Sequence, residues 1–260
     1  IGNGEIYIVI GTHALLTGDV IFENIAIAIT DEQHRFGVHQ RERFRNKIDD
    51  PYTIPHTLVM TATPIPRTLS LTIFGDLDVS TINALPLGRS PITTKLVQPE
   101  DAEKPYRYMR KLIDNGQQGY VVVPLVEETE SGLKSVSAHA QHLRGGFLKG
   151  KIIDVVHGRM KSKEREATMQ RFREGLIDVL VATTVIEVGV DVPNATMIII
   201  EHADRFGLAQ LHQLRGRVGR SELSGMCVLI ARPATNESIQ RLNAIVESND
   251  GFSIADRDLE

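Results

Sequence analysis

The sequence predicts an α/β protein made of two parallel-sheet domains, and three observations carry that reading. Short apolar runs rich in β-branched residues recur along the 260 residues, with apolar side chains on both alternations, as strands covered on both faces require. Stretches of helical period separate them, and strand–helix alternation at this spacing means βαβ units. A joint rich in proline and glycine, Ala84–Leu85–Pro86–Leu87–Gly88–Arg89–Ser90–Pro91, breaks the rhythm once and favours an extended linker.

In chain order, strands are expected at Glu5–Ile10, Ile25–Thr30 and Thr57–Thr61 before that joint. Beyond it, a helix is expected over Glu103–Asn115, a strand over Gly119–Val126, and an acidic surface loop over Glu127–Val136. Next come a helix over Ser137–Leu148, a strand over Lys151–Val156, and a helix over Ser162–Glu174 that opens on Ser162 as N-cap with early acids. Strands follow at Asp178–Ala182, Ala195–Ile200 and Met226–Ala231, with helices over Leu208–Arg217 and Glu237–Ser248. The organisation expected is 1–84 as the later part of a first lobe, 85–96 as linker, 97–235 as a second lobe, and 236–260 as the start of a helical region. Both ends read as cut, the first because the chain opens on a strand and the last because the tail lacks a closing element.

Composition narrows the function classes. No apolar run reaches the roughly 18–20 residues of a membrane span, and the opening lacks the basic segment of a secretory signal. Cys227 is the single cysteine, which excludes an internal disulfide or a cysteine metal cluster and makes a reducing, cytoplasmic setting the default. The net charge of −4 argues against a bulk electrostatic nucleic-acid binder. Residues 91–245, however, hold 21 Lys and Arg against 18 Asp and Glu, so the basic character is local. Within that block Arg205 to Arg220 carries four arginines and no acid.

Four motifs could carry chemistry. The strand Ile25–Thr30 runs into Asp31, Glu32, Gln33 and His34. At the carboxyl edge of a parallel strand, one carboxylate can hold Mg²⁺ while the next polarises an attacking water; a solvated turn with acids near a helix start is the bland alternative. Thr61 and Thr63 close the next strand in Met60–Thr61–Ala62–Thr63–Pro64, a pattern that a helix N-terminus explains equally well. Thr183, Thr184, Gly189 and Asp191 lie in one segment that brings two hydroxyls, a close-approach glycine and a carboxylate to a strand–helix junction. Gln213, Arg217 and Arg220 stand in Gln210–Leu211–His212–Gln213–Leu214–Arg215–Gly216–Arg217–Val218–Gly219–Arg220. Arg217 and Arg220 are three apart, on a helix face or its end, and their planar forks suit bidentate contacts to a polyphosphate. Glycines at 216 and 219 would cost a solvent-exposed helix about 1 kcal/mol each. Gly145–Lys151 fits G-x-x-x-x-G-K but continues with Ile152 and precedes a strand, so it is no phosphate-cradling loop, and the chain holds no other.

Taken together, DEQH, TATP, TTVIEVGVD and Q-x-x-G-R-x-x-R resemble motifs II, III, V and VI of superfamily 2 helicases. The longer segments DEQHRFGVHQRERF, MTATPIPRTLSLTIFGDLDVSTI and VIEVGVDVPNATMIIIEHADRFGLAQLHQLRGRVGR are similar to the bacterial RecG family of ATP-dependent branched-DNA helicases. The translocase of transcription-repair coupling factors shares these motifs and stays open as an alternative.

The resemblance implies two RecA-like lobes of the P-loop NTPase fold, the first truncated, with ATP and Mg²⁺ as cofactors. Asp31 would coordinate Mg²⁺, and Glu32 would act as catalytic base. Gln33 and His34 would sense the γ-phosphate or couple the domains. Thr61 and Thr63 would couple hydrolysis to movement. Gly11, Thr12 and His13 resemble a motif that touches the DNA backbone, and Thr183 with Thr184 would sit at the DNA face. Gly189, Asp191, Gln213, Arg217 and Arg220 would complete the ATP site, with Arg220 as arginine finger. Arg241 and Phe252–Leu259 resemble the approach to a translocation motif. Duplex or branched DNA is the implied partner, with no membrane and a monomeric state. The family's Walker A loop, which supplies the remaining Mg²⁺ and phosphate ligands, is absent from this sequence, as is its wedge domain. A catalytically silent fragment that binds nucleic acid or a partner is therefore the rival reading for the chain by itself.

Overall fold

The computed structural model describes residues 5–16, 20–31, 55–61, 78–82, 91–124, 130–183 and 191–258. The chain divides into two compact units, Ile1–Pro64 and Ile65–Glu260.

In the smaller unit, β1 (Ile27–Thr30) pairs in parallel with β2 (His56–Val59), Thr30 standing opposite Val59. A short 3-10 turn, His13–Leu16, precedes them. The strand expected at Glu5–Ile10 does not form. An apolar run becomes a strand only when a neighbour supplies its hydrogen-bond ladder, and the described sheet here contains only β1 and β2. Tyr7 and Ile10 are correspondingly 95% and 92% exposed.

The larger unit is a six-stranded, wholly parallel sheet between two helical layers. Its strands are β3 (Thr93–Val97), β4 (Gln118–Val122), β5 (Ile153–Val156), β6 (Val179–Ala182), β7 (Ala195–Glu201) and β8 (Met226–Ile230), in the spatial order β3-β8-β7-β4-β6-β5. The helices are α1 (Glu103–Asp114), α2 (Glu130–Gly145), α3 (Ser162–Arg173), α4 (Leu208–Arg215), α5 (Asn236–Glu247) and α6 (Gly251–Asp258). One face of the sheet packs Val121, Val181 and Ile199 against Tyr106, Met109 and Ile113 of α1 and Val136, Ala140 and Leu143 of α2. The other packs Tyr120, Leu180 and Ile198 against Phe172 of α3, Leu211 and Leu214 of α4, Leu242 and Ile245 of α5 and Ile254 of α6. Burial on both faces explains why the inner strands are largely apolar, each buried apolar side chain contributing about 1.5–3 kcal/mol.

Several boundaries depart from the expectations. Residues 93–96 of the expected linker belong to β3, whose Thr93 N–H donates to Gly225 O at 3.0 Å as β3 adds to the edge of β8. Residues 130–136, expected in a loop, are helical. Val136 is buried with Ala140 and Leu143, so the apolar stripe extends one turn upstream. Helix α3 has Lys161 at its N-cap with no side-chain cap bond, and Ser162 already lies inside it. Helix α4 ends at Arg215 rather than Arg217, with Gly216 as C-cap. The tail does close on an element: α6 buries Ile254 and ties Arg257 to Glu247 at 3.1 Å. No helix among the described residues is long and apolar enough to cross a membrane.

Candidate functional site

In the smaller unit the parallel pairing decides which side chains meet. Thr30 accepts from the Met60 N–H at 2.8 Å, so the next residues along each strand, Asp31 and Thr61, emerge at the same carboxyl edge, and both are exposed. An exposed carboxylate just past a strand end is the hard oxygen donor that Mg²⁺ takes. Among the described residues no cluster of three or more His, Cys, Asp or Glu side chains forms a complete metal cage, and Mg²⁺ ordinarily needs only one or two carboxylates with substrate phosphates. Asp31 fits that use. Glu32, Gln33, His34 and Thr63 lie outside the described residues. Gly11 and Thr12 are exposed before the 3-10 turn, whose start at His13 is held by the Leu15 N–H donating to Thr12 O at 3.0 Å.

In the larger unit the candidate residues separate to opposite edges of the sheet. Thr183 directly follows β6 at the carboxyl edge. It is fully buried, and its hydroxyl meets no hydrogen-bond partner. Asp191, Gln213, Arg217 and Arg220 belong to the amino edge. Asp191 precedes β7, and Arg220 precedes β8, the adjacent parallel strand. Helix α4 leaves the carboxyl end of β7 and runs back to where β8 begins, so its last turn carries Gln213 toward the same edge. Thr184 and Gly189 are outside the described residues.

The turn after α4 is fixed by backbone contacts. Gly219 adopts φ +68°, a left-handed conformation that glycine takes without steric cost. A Cβ on Gly219 would meet Ile92 Cγ1 at 2.9 Å, and one on Gly225 would meet Gly219 Cα at 2.9 Å. The two glycines thus press the arginine-bearing turn onto the start of β8. On this frame Arg220 donates through Nε to Gly216 O at 3.0 Å and places Nη1 3.5 Å from Asp191 Oδ1. The phenol of Tyr120 on β4 is pushed up to about 12, first by burial; Arg217 and Arg220 oppose the rise and Asp191 adds to it. Two guanidiniums and one carboxylate therefore act on the same small region, an arrangement able to receive a polyanion.

Two features were missed in the sequence. Arg215, read there as one more member of the basic cluster, is buried and donates to Ile245 O at 2.8 Å and Ser248 O at 2.7 Å, tying α4 to the end of α5. The signal was available, because Leu208, Leu211 and Arg215 share one helical face and both leucines are buried. The second is a polar cluster at the carboxyl end of β7. Tyr106 of α1 donates to Glu201 Oε1 at 2.6 Å, and its hydroxyl lies 3.1 Å from His139 Nε2 of α2. Burial, then Glu201, pushes the Tyr106 phenol well above its usual value, and burial holds His139 below its own against the opposing pull of Glu201. No short-range pattern joins residues so far apart in the chain.

Residues 104–222 match the family of helicase conserved C-terminal domains. The ATP-dependent DNA helicase RecG of Staphylococcus epidermidis is 47% identical over 99% of this chain, and that of Streptococcus pneumoniae is 48% identical over all of it. The chain spans 37% and 38% of the length of those two relatives. A solved structure of RecG bound to a three-way DNA junction superposes with a TM-score of 0.77 at 41% identity, over 96% of this chain and 32% of that one. The fold is accordingly RecA-like, and the first lobe is represented only in part.

Proposed function

We propose, proceeding from the homology of this chain to part of the RecG helicases, that it is the motor portion of a parent protein that couples ATP hydrolysis to translocation on branched duplex DNA. The observation that carries the reading is 47% identity to a RecG helicase over 99% of the chain. In the parent, Asp31 would hold Mg²⁺ together with a Walker A residue supplied from elsewhere in the protein. The ion, when bound, neutralises phosphate charge and orients the triphosphate. Glu32 would take the proton of the attacking water. Gln33, His34, Gly189 and Gln213 would line the nucleotide, Asp191 would complete the site beside Arg220, and Arg217 and Arg220 would offset charge on the transferring phosphoryl group. His34, Thr61 and Thr63 would pass the nucleotide state on, and Gly11, Thr12, His13 and Thr184 would face the DNA backbone. Thr183, being buried, would support that edge rather than touch phosphate. The parent is proposed to work as a monomer in the cytoplasm.

Because this sequence holds no phosphate-cradling loop, the isolated 260-residue chain is expected to show no magnesium-dependent ATPase, with or without forked DNA. The full-length parent is expected to hydrolyse ATP when forked DNA is added and to lose that turnover in Glu32→Gln. DNA-dependent turnover that survives Glu32→Gln would remove the assigned base. A parent with no turnover on any forked or duplex DNA would favour the silent-fragment reading.

A further inference from the structure

The Asp191–Arg220 contact deepens the proposed nucleotide role and rests on it. We infer that Asp191 is a positioning residue for Arg220, holding the guanidinium where it meets the phosphoryl group, rather than a contact to the nucleotide's sugar. Both partners grow from fixed backbone. Asp191 is followed by the buried Val192, whose carbonyl accepts the Ala195 N–H at 3.0 Å as β7 begins. Arg220 follows the Gly219–Gly225 contact that holds its turn against β8. The pairing of Met197 with Met226 sets the spacing between the two strands.

The side chains, by contrast, are open to solvent, Arg220 to 32% and Asp191 to 57%. An exposed ion pair contributes little to stability, so holding the fold together does not account for this contact. Its effect is directional. Gly216 O takes the Nε donor at 3.0 Å and the Asp191 carboxylate lies 3.5 Å from Nη1, so one donor of the rigid fork is hydrogen-bonded and the ion pair biases where its far end points. A preset guanidinium spends less reorganisation as charge develops on phosphate, and a misplacement near 1 Å costs up to about 10²-fold in rate.

The test is steady-state ATPase of the full-length parent on forked DNA for Asp191→Asn, Asp191→Glu, Arg220→Ala and the Asp191→Asn/Arg220→Ala double variant. The expected result is a kcat lowered about 10–100-fold in Asp191→Asn with KM within about twofold, partial recovery in Asp191→Glu, and no further loss when Asp191→Asn is added to Arg220→Ala. Thermal melting of each variant verifies the fold, which the exposure of Asp191 leaves undisturbed. A raised KM with kcat retained would assign Asp191 to the nucleotide itself and overturn the inference, as would losses that multiply in the double variant. If Arg220→Ala turns over like the wild type, the arginine-finger reading fails first, and that outcome is distinguishable because it does not involve Asp191.

Discussion

Arg215, Arg217 and Arg220 stand within six residues, yet burial gives them different work. Arg215 is desolvated, which lowers its pKa, and its guanidinium caps two carbonyls at the end of α5. Truncation to alanine leaves those acceptors without a donor, so Arg215→Ala should destabilise the fold by about 2–3 kcal/mol, read as a lower urea midpoint. An unchanged midpoint would mean water replaces the guanidinium without loss. The sequence presented all three arginines as one basic cluster. Helical phase separates Arg215 from the others, whereas the Arg220–Asp191 contact joins residues 29 positions apart and no local pattern contains it. Cys227 is a comparable case of burial setting chemistry. Its thiol is pushed up to about 12, so thiol reagents at pH 8 should label it only as fast as the protein unfolds; rapid labelling of the native protein would contradict the burial.

At the scale of elements, the strands buried on both faces were legible because β4, β6 and β7 each carry a run of consecutive apolar residues. Edge elements were not. Thr93–Val97 alternates exposed and partly buried residues, so beside the proline-rich joint it resembles linker. Residues 5–10 are apolar enough for a strand, but the local sequence cannot show whether a neighbouring strand is present to pair with them. Helix α6 lies within residues 236–260, expected as the start of a helical region, and buries Ile254. The Gly219–Gly225 contact makes a sharp prediction: Gly219→Ala combines a φ of +68° with a clash against Ile92 and should cost about 1–3 kcal/mol. The Tyr106–His139–Glu201 cluster joins α1, α2 and β7 and makes stability pH-dependent. Burial lowers the folded-state pKa of His139, so as pH falls the unfolded chain takes up the proton first. Its contribution is therefore complete above about pH 6.5 and declines below it. Melting temperature should drop between pH 7 and pH 5 with a slope that flattens in His139→Gln, and identical slopes would contradict the assignment.

For the molecule as a whole, a three-layer lobe places the arginines and Asp191 where β7 and β8 begin and Thr183 where β6 ends. The smaller unit contributes Asp31 and Thr61 at the carboxyl edge of its own parallel pair. The motor reading requires Arg217 and Arg220 to act on the transferring phosphoryl group of ATP during turnover. Single-turnover ATP hydrolysis by the full-length parent on forked DNA, wild type against Arg220→Ala, tests this most directly. The account predicts a rate lower by about 10³–10⁵-fold with ATP still bound. Hydrolysis at the wild-type rate would contradict it.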